Sequence, residues 1–124
     1  MQRQMNLSMN EDLKKGDIVL VPLSYSDLVN NKLRPALVLY HDIDVMQLTV
    51  AYISSKVSLN PGPYDIVIPL GTPMSRTAGL VYSSVVKVYW TAMIKRILVK
   101  KKLGEANDAL REQVNRILPS ALAI

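Results

Sequence analysis

Two short stretches of this 124-residue chain carry side chains suited to handling a phosphate. In the first, Arg34-Pro35 precedes the apolar run Ala36-Leu37-Val38-Leu39-Tyr40, which ends at His41-Asp42. A run this short and rich in Leu and Val reads as a buried strand. Proline cannot donate to a ladder, so Pro35 belongs at the strand's first position or on an edge. Arg34 then stands where a loop feeds a core strand, on a rigid mount. Its five donors match phosphate oxygens. In the second stretch, Ser54-Ser55 ends another β-rich run. A hydroxyl beside a guanidinium can bind a phosphate and stabilise charge that builds on it. Taken singly, Arg34 is an ordinary surface arginine and Ser54 a strand-end hydroxyl bonded to backbone.

Other chemistries find little support. There is no Cys, so no thiol nucleophile, disulfide frame or zinc–cysteine site. The single His, His41, rules out chemistry that needs two imidazoles within one chain. It sits at a strand end, where a structural role is the plainer reading. Asp42 and Asp44, two apart, read as a turn device. Ser54 lacks an evident acid–His relay, which argues against a serine-hydrolase nucleophile. No residue pattern calls for a metal or a cofactor.

The net charge of +5 and a pI of about 9.6 make nucleic acid or another polyanion a natural partner. The apolar runs fall far short of the ~20 residues a membrane span needs. Residues 1–10 lack the apolar core of a signal peptide, so a cytoplasmic protein is expected.

The chain length suits one domain. Residues 1–15 are polar and without period, and are expected to form a flexible arm ahead of a single domain over 16–124. Strands are expected at 18–23, 34–40, 46–55, 64–70 and 85–90, with a last short one at 97–99. Apolar residues on both faces of 46–55 make it a central strand. Residues 24–33, 56–63 and 71–78 read as loops, the last carrying Arg76, and Lys100 to Lys102 as a solvated turn. Ala106, Leu110, Val114 and Ile117 share one helical face, giving a helix over about 104–118 that Pro119 stops. Five to seven short strands followed by one helix imply a mainly β (α+β) fold, a small barrel or strongly bent sheet.

The order of these pieces resembles the MazF/PemK family of toxin endoribonucleases of type II toxin–antitoxin systems. The matching stretches are Gly16-Asp17-Ile18-Val19-Leu20-Val21-Pro22-Leu23, Arg34-Pro35-Ala36-Leu37-Val38-Leu39, Ala51-Tyr52-Ile53-Ser54-Ser55, and Gly79-Leu80 with Ser84-Val85-Val86. The resemblance implies an SH3-like barrel, a homodimer, metal-independent cleavage of single-stranded RNA, and a small antitoxin that covers the RNA groove. It assigns catalysis to Arg34 and Ser54. One departure stands out: an Arg-Thr pair with a nearby acid, common in the family, is replaced here by Trp90-Thr91-Ala92-Met93.

RNA brings its own nucleophile, the 2′-hydroxyl. The protein must supply positive charge, a base and an acid. Arg34 fits the charge role, because its high pKa makes it a poor base. The base is left open among His41, Asp17, Asp27 and a water held by Ser54. Lys32, Lys56, Arg76 and Ser55 are expected to bind RNA from one rim. The competing expectations are a CcdB-like barrel that poisons a protein target such as gyrase, and an RNA-binding barrel without activity. A homodimer is also expected from the apolar residues Val85, Val86, Val88, Tyr89, Trp90, Ile94, Ile97 and Leu98.

Overall fold

The computed structural model describes residues 12–23 and 32–124. Its frame is a six-stranded antiparallel sheet that curls into a half-barrel, with strand order β4-β5-β3-β2-β1-β6. The strands are β1 (Asp17–Leu23), β2 (Lys32–Asp42), β3 (Gln47–Ser54), β4 (Asp65–Ile68), β5 (Ser84–Lys95) and β6 (Lys101–Glu105). Among the described residues two α-helices complete it, α1 (Pro73–Ala78) and α2 (Asp108–Leu122). The mainly β fold with a C-terminal helix is thus the one the sequence implies. As expected, β3 is central, between β2 and β5.

Alternation along the strands sorts the apolar residues onto two faces. Leu37, Ala51, Ile53, Ile66, Val86 and Val88 pack on one side beneath Leu110 and Val114 of α2. Val19, Val21, Ala36, Val38, Leu48 and Val50 form a second core on the other side, with Tyr52 against its margin. Leu13 joins this second core at 3% exposure. Of the arm expected over 1–15, residues 12–15 are therefore tied down at Leu13, and residues 1–11 lie outside the described residues.

Local expectations fail in three places, each for a physical reason. The loop at 71–78 contains α1. Thr72 caps it by accepting from Ser75 N–H, Pro73 opens it, and Gly79 closes it at φ 73°. A Cβ on Gly79 would collide with the Leu103 carbonyl, and one on Gly104 with Thr77 and Ala78, so both glycines let α1 lie close on β6.

The last strand is not at 97–99. Arg96–Leu98 forms a 3₁₀ turn, and the supposed solvated turn supplies β6. Pairing with β1, from Asp17↔Glu105 to Leu20↔Lys101, overrides the poor strand propensity of the lysines.

The C-terminal helix starts later, at Asp108, because Asn107 caps it by accepting from Leu110 N–H at 2.9 Å. It also runs past Pro119 to Leu122. With only the final turn remaining, Pro119 costs a single backbone bond rather than ending the helix. Among the described residues, no helix is long and apolar enough to cross a membrane.

Candidate functional site

β2 is an interior strand, yet among the described residues its N-terminal end pairs with one neighbour only. It pairs with β1 from Leu23↔Lys32 to Ile18↔Leu37, whereas pairing with β3 begins at Ala36↔Tyr52. Pro35 therefore sits where its missing donor harms least. β3 in turn stays paired with β5 as far as Ser54↔Val85. Carrying the β2–β3 register two residues beyond its last pair sets Arg34 opposite Ser54, where the two strands part. Strand alternation puts both side chains on the face that carries Ala36 and Tyr52.

Arg34 is half-buried, and its Nε donates to the Leu23 carbonyl at 3.3 Å, which holds the side chain across the end of β1. Ser54 is buried to 7% exposure. Its Oγ accepts the Lys56 N–H at 3.1 Å, so the hydroxyl keeps its own hydrogen to donate. Arg34 and Ser55 also border a cleft of about 390 Å³ floored by Pro35, Ile53 and Leu80. Lys101 lines the same cleft, although its place in a basic run predicts a solvated turn. Its signal was hidden, because only the β1–β6 pairing brings it there.

Lys32 is exposed two residues before Arg34, and Lys56 is exposed two residues after Ser54. Both flank the same end of the sheet. Arg76 lies apart: its guanidinium donates to the Gly71 carbonyl beside its own helix, and it does not line the cleft.

Two of the candidate bases are elsewhere. Asp17 lies four residues along β1 from Val21, the partner of Arg34, or about 13 Å at the strand rise. It is fully buried, accepting from Lys14 N–H at 2.9 Å and contacting Lys14 Nζ at 3.1 Å and Lys102 Nζ at 3.2 Å. The bond to Asp17 and its charge hold the Lys14 ammonium above its ordinary pKa. His41 is seven residues along β2 from Arg34, about 23 Å away at the strand rise. Its Nδ1 meets the Leu13 carbonyl at 2.7 Å, which pins residue 13 to the sheet. Asp27 lies outside the described residues.

A charged cluster continues the Arg34–Ser54 face. Lys87 pairs with Tyr52 in register and reaches Asp65 at 3.2 Å, while Tyr89 Oη donates to Asp65 at 2.9 Å. Burial pushes the Asp65 carboxyl up, but bonds from Gly62 N–H, Tyr89 and Lys87 outweigh it and leave its pKa below the usual range. Burial likewise opposes charge on Lys87, yet Asp65 and Tyr89 hold its pKa above the ordinary value.

Of the apolar residues that motivated a dimer, Val85, Val86, Val88 and Ile94 are buried within the single chain. Tyr89, Trp90, Ile97 and Leu98 remain exposed.

A family model described as PemK-like, MazF-like toxin of type II toxin–antitoxin system matches residues 14–122. No curated protein matches the chain. Among solved structures, MazF of Deinococcus radiodurans is similar at TM-score 0.68 and 19% identity, over 90% of this chain and 97% of that one. The Mycobacterium tuberculosis toxin MazF-mt6 is similar at TM-score 0.66 and 19% identity, covering 87% and 97%. An endoribonuclease from a mycobacterial species, solved in complex with its cognate antitoxin, is similar at TM-score 0.67 and 14% identity, covering 91% and 97%.

Proposed function

The chain belongs to the family of PemK-like, MazF-like toxins of type II toxin–antitoxin systems, and from that premise we propose that it is a metal-independent endoribonuclease. It cuts single-stranded RNA at preferred sequences in the cytoplasm and so arrests translation and growth. The observation that carries the reading is Arg34 set opposite Ser54 at the parting ends of β2 and β3. In this reading a cation steadied by the Leu23 carbonyl works with a hydroxyl that keeps its own hydrogen to donate.

In this mechanism the RNA 2′-hydroxyl oxygen forms a bond to phosphorus and the bond from phosphorus to the 5′-oxygen breaks. The products are a 2′,3′-cyclic phosphate and a 5′-hydroxyl. Arg34 stabilises the extra negative charge on the non-bridging oxygens. Ser54 donates its hydroxyl hydrogen to one of them. The 2′ proton passes to Asp27 or to a water on Ser54, since Asp17 and His41 stand too far from Arg34. The 5′-oxygen takes a proton from solvent. Lys32 and Lys56 hold the flanking strand on the Arg34–Ser54 side, while Ser55 and Lys101 meet it from the cleft on the opposite face, which Arg34 also borders. Arg76, held at Gly71, contributes less than the sequence suggested.

The proposed partners are a cognate antitoxin that covers this end of the sheet and a second copy of the chain. The exposed Ile43, Val45, Met46, Met93, Ile97 and Leu98 offer an apolar surface for the copy. A second reading, a barrel that poisons a protein target without catalysis, draws on Trp90-Thr91-Ala92-Met93 standing where an Arg-Thr pair and acid are usual. Incubating the protein with single-stranded RNA in EDTA separates the two. Fragments ending in 2′,3′-cyclic phosphate support the nuclease, and intact RNA with growth arrest on expression supports the protein poison.

A further inference from the structure

β5 carries three more residues than β3 needs. The register runs Tyr52↔Lys87 and then Ala51↔Thr91, so Val88, Tyr89 and Trp90 bulge out of the ladder. Bulges of this kind re-aim side chains. Val88 turns into the core at 0% exposure, while Tyr89 and Trp90 turn outward. The Trp90 ring meets Tyr52 edge-to-face at 6.1 Å and Tyr89 at 6.1 Å. Lys87 Nζ lies over both rings, 5.6 Å from Trp90 and 5.9 Å from Tyr89, and is anchored by Asp65. Tyr52, Tyr89, Trp90 and Thr91 line an open cleft of about 340 Å³.

The position of this cleft decides what it takes. Tyr52 lies two residues before Ser54 on β3, so the two share a face about 7 Å apart. Arg34 shares that face across the strand gap. An aromatic wall one short step from a cation and a hydroxyl suits a polymer that alternates flat bases with phosphates. Aromatic rings accept any base by its π-face. Cation–π contact with Lys87 and the bond to Asp65 keep the rings in place before a ligand arrives.

We propose that Tyr52, Tyr89 and Trp90 form a base-stacking subsite for a nucleotide flanking the phosphate held at Arg34 and Ser54. The proposal rests on the reading of that pair as a phosphate site.

Trp90 is the chain's only tryptophan, so its emission reports on the subsite directly. The probes are 2′-O-methylated homopolymers of each of the four bases, which bind without in-line attack, and an abasic ribose-phosphate chain of the same length. Saturable quenching by at least one homopolymer, with none by the abasic chain, supports the subsite. Trp90→Ala should then weaken binding of that homopolymer about five- to a hundredfold, and Trp90→Phe should recover most of it. Equal quenching by the abasic chain, no quenching by any homopolymer, or unchanged binding in Trp90→Ala overturns the proposal. So does emission that shifts only with protein concentration, which would mean that a second copy covers Trp90. If wild-type protein shows base-dependent quenching but leaves natural RNA intact, the subsite stands and the nuclease reading falls. Full-rate cleavage without quenching gives the reverse.

Discussion

At the start of β1, Asp17 is fully buried and its carboxylate meets a backbone N–H and two lysine ammoniums. Toward the other end of β1, Arg34 lies opposite Val21, bonded at Nε to a carbonyl and set where β2 loses its β3 neighbour. Both are charged residues at ladder positions, and they face different surroundings. Asp17 is closed off with several partners from the chain itself, which is what a buried charge needs to persist. Among the described residues, the β2–β3 pairing ends at Ala36↔Tyr52, so Arg34 and Ser54 lie two residues beyond its last bridge. The contrast is between a charge enclosed by partners from its own chain, which serves the fold, and a half-buried charge at a strand end, where the proposal places a ligand.

The comparison is sharpest if the two ends fail differently. Asp17→Ala should leave the part-buried Lys14 N–H unpaired and two lysines without their carboxylate. The cost expected for breaking such a group is about 3–5 kcal/mol, toward the lower end because both lysines reach solvent. That corresponds to a melting point lowered by roughly 10 °C, read by circular dichroism. RNA cleavage by the molecules still folded should match wild type. Normal stability in Asp17→Ala would erase the distinction between the two ends.

Asp65 tests an intermediate case, a charge that supports the aromatic face. Asp65→Asn should lose about 1.5–3 kcal/mol near neutral pH, measured by urea denaturation. Because its folded pKa is lowered, Asp65 stabilises the protein above its unfolded pKa of about 4, and the gain disappears as pH falls through the folded value. Lys87, with a raised folded pKa, contributes fully below about 10 and loses its share as pH rises through the folded value. The gap between wild type and Asp65→Asn should therefore be wide from about pH 5 to 9 and close in acid. A gap that persisted unchanged at pH 2 would show that the carboxylate's charge is irrelevant.

Ser54 carries the smallest effect. Ser54→Ala should slow cleavage about tenfold, the loss of one hydrogen bond of roughly 1.4 kcal/mol to a charged oxygen. Ser54→Thr keeps the hydroxyl and should be nearly neutral. A wild-type rate in Ser54→Ala would return Ser54 to an ordinary strand-end residue.

Much of this arrangement was readable from residue order. β1 to β3 announce themselves by short apolar runs, and Arg34 and Ser54 stand out as candidates because one begins and the other ends such a run. α1 could have been found as well, since Thr72-Pro73 and Gly79 are a cap, an N1 proline and a left-handed stop. β6 could not, because its lysines become a strand only through β1. The aromatic wall was equally hidden. Tyr52 and Trp90 are far apart in sequence, and only a three-residue excess in the β5 register brings them together. Long-range pairing is the part of the site that local pattern does not carry.

The central claim is that the open end of β2, and not the buried end of β1, does the chemistry. The most direct measurement is the single-turnover rate of RNA cleavage by Arg34→Ala and Arg34→Lys beside wild type, with melting curves on the same samples. Removing one pre-positioned donor of this kind costs about 10²- to 10³-fold in rate. Lysine keeps the charge but lacks the two-pronged donor geometry, so Arg34→Lys should also be badly impaired. Both variants should melt close to wild type. Full activity in Arg34→Ala would contradict the account, and an unfolded Arg34→Ala would make Arg34 a structural residue like Asp17.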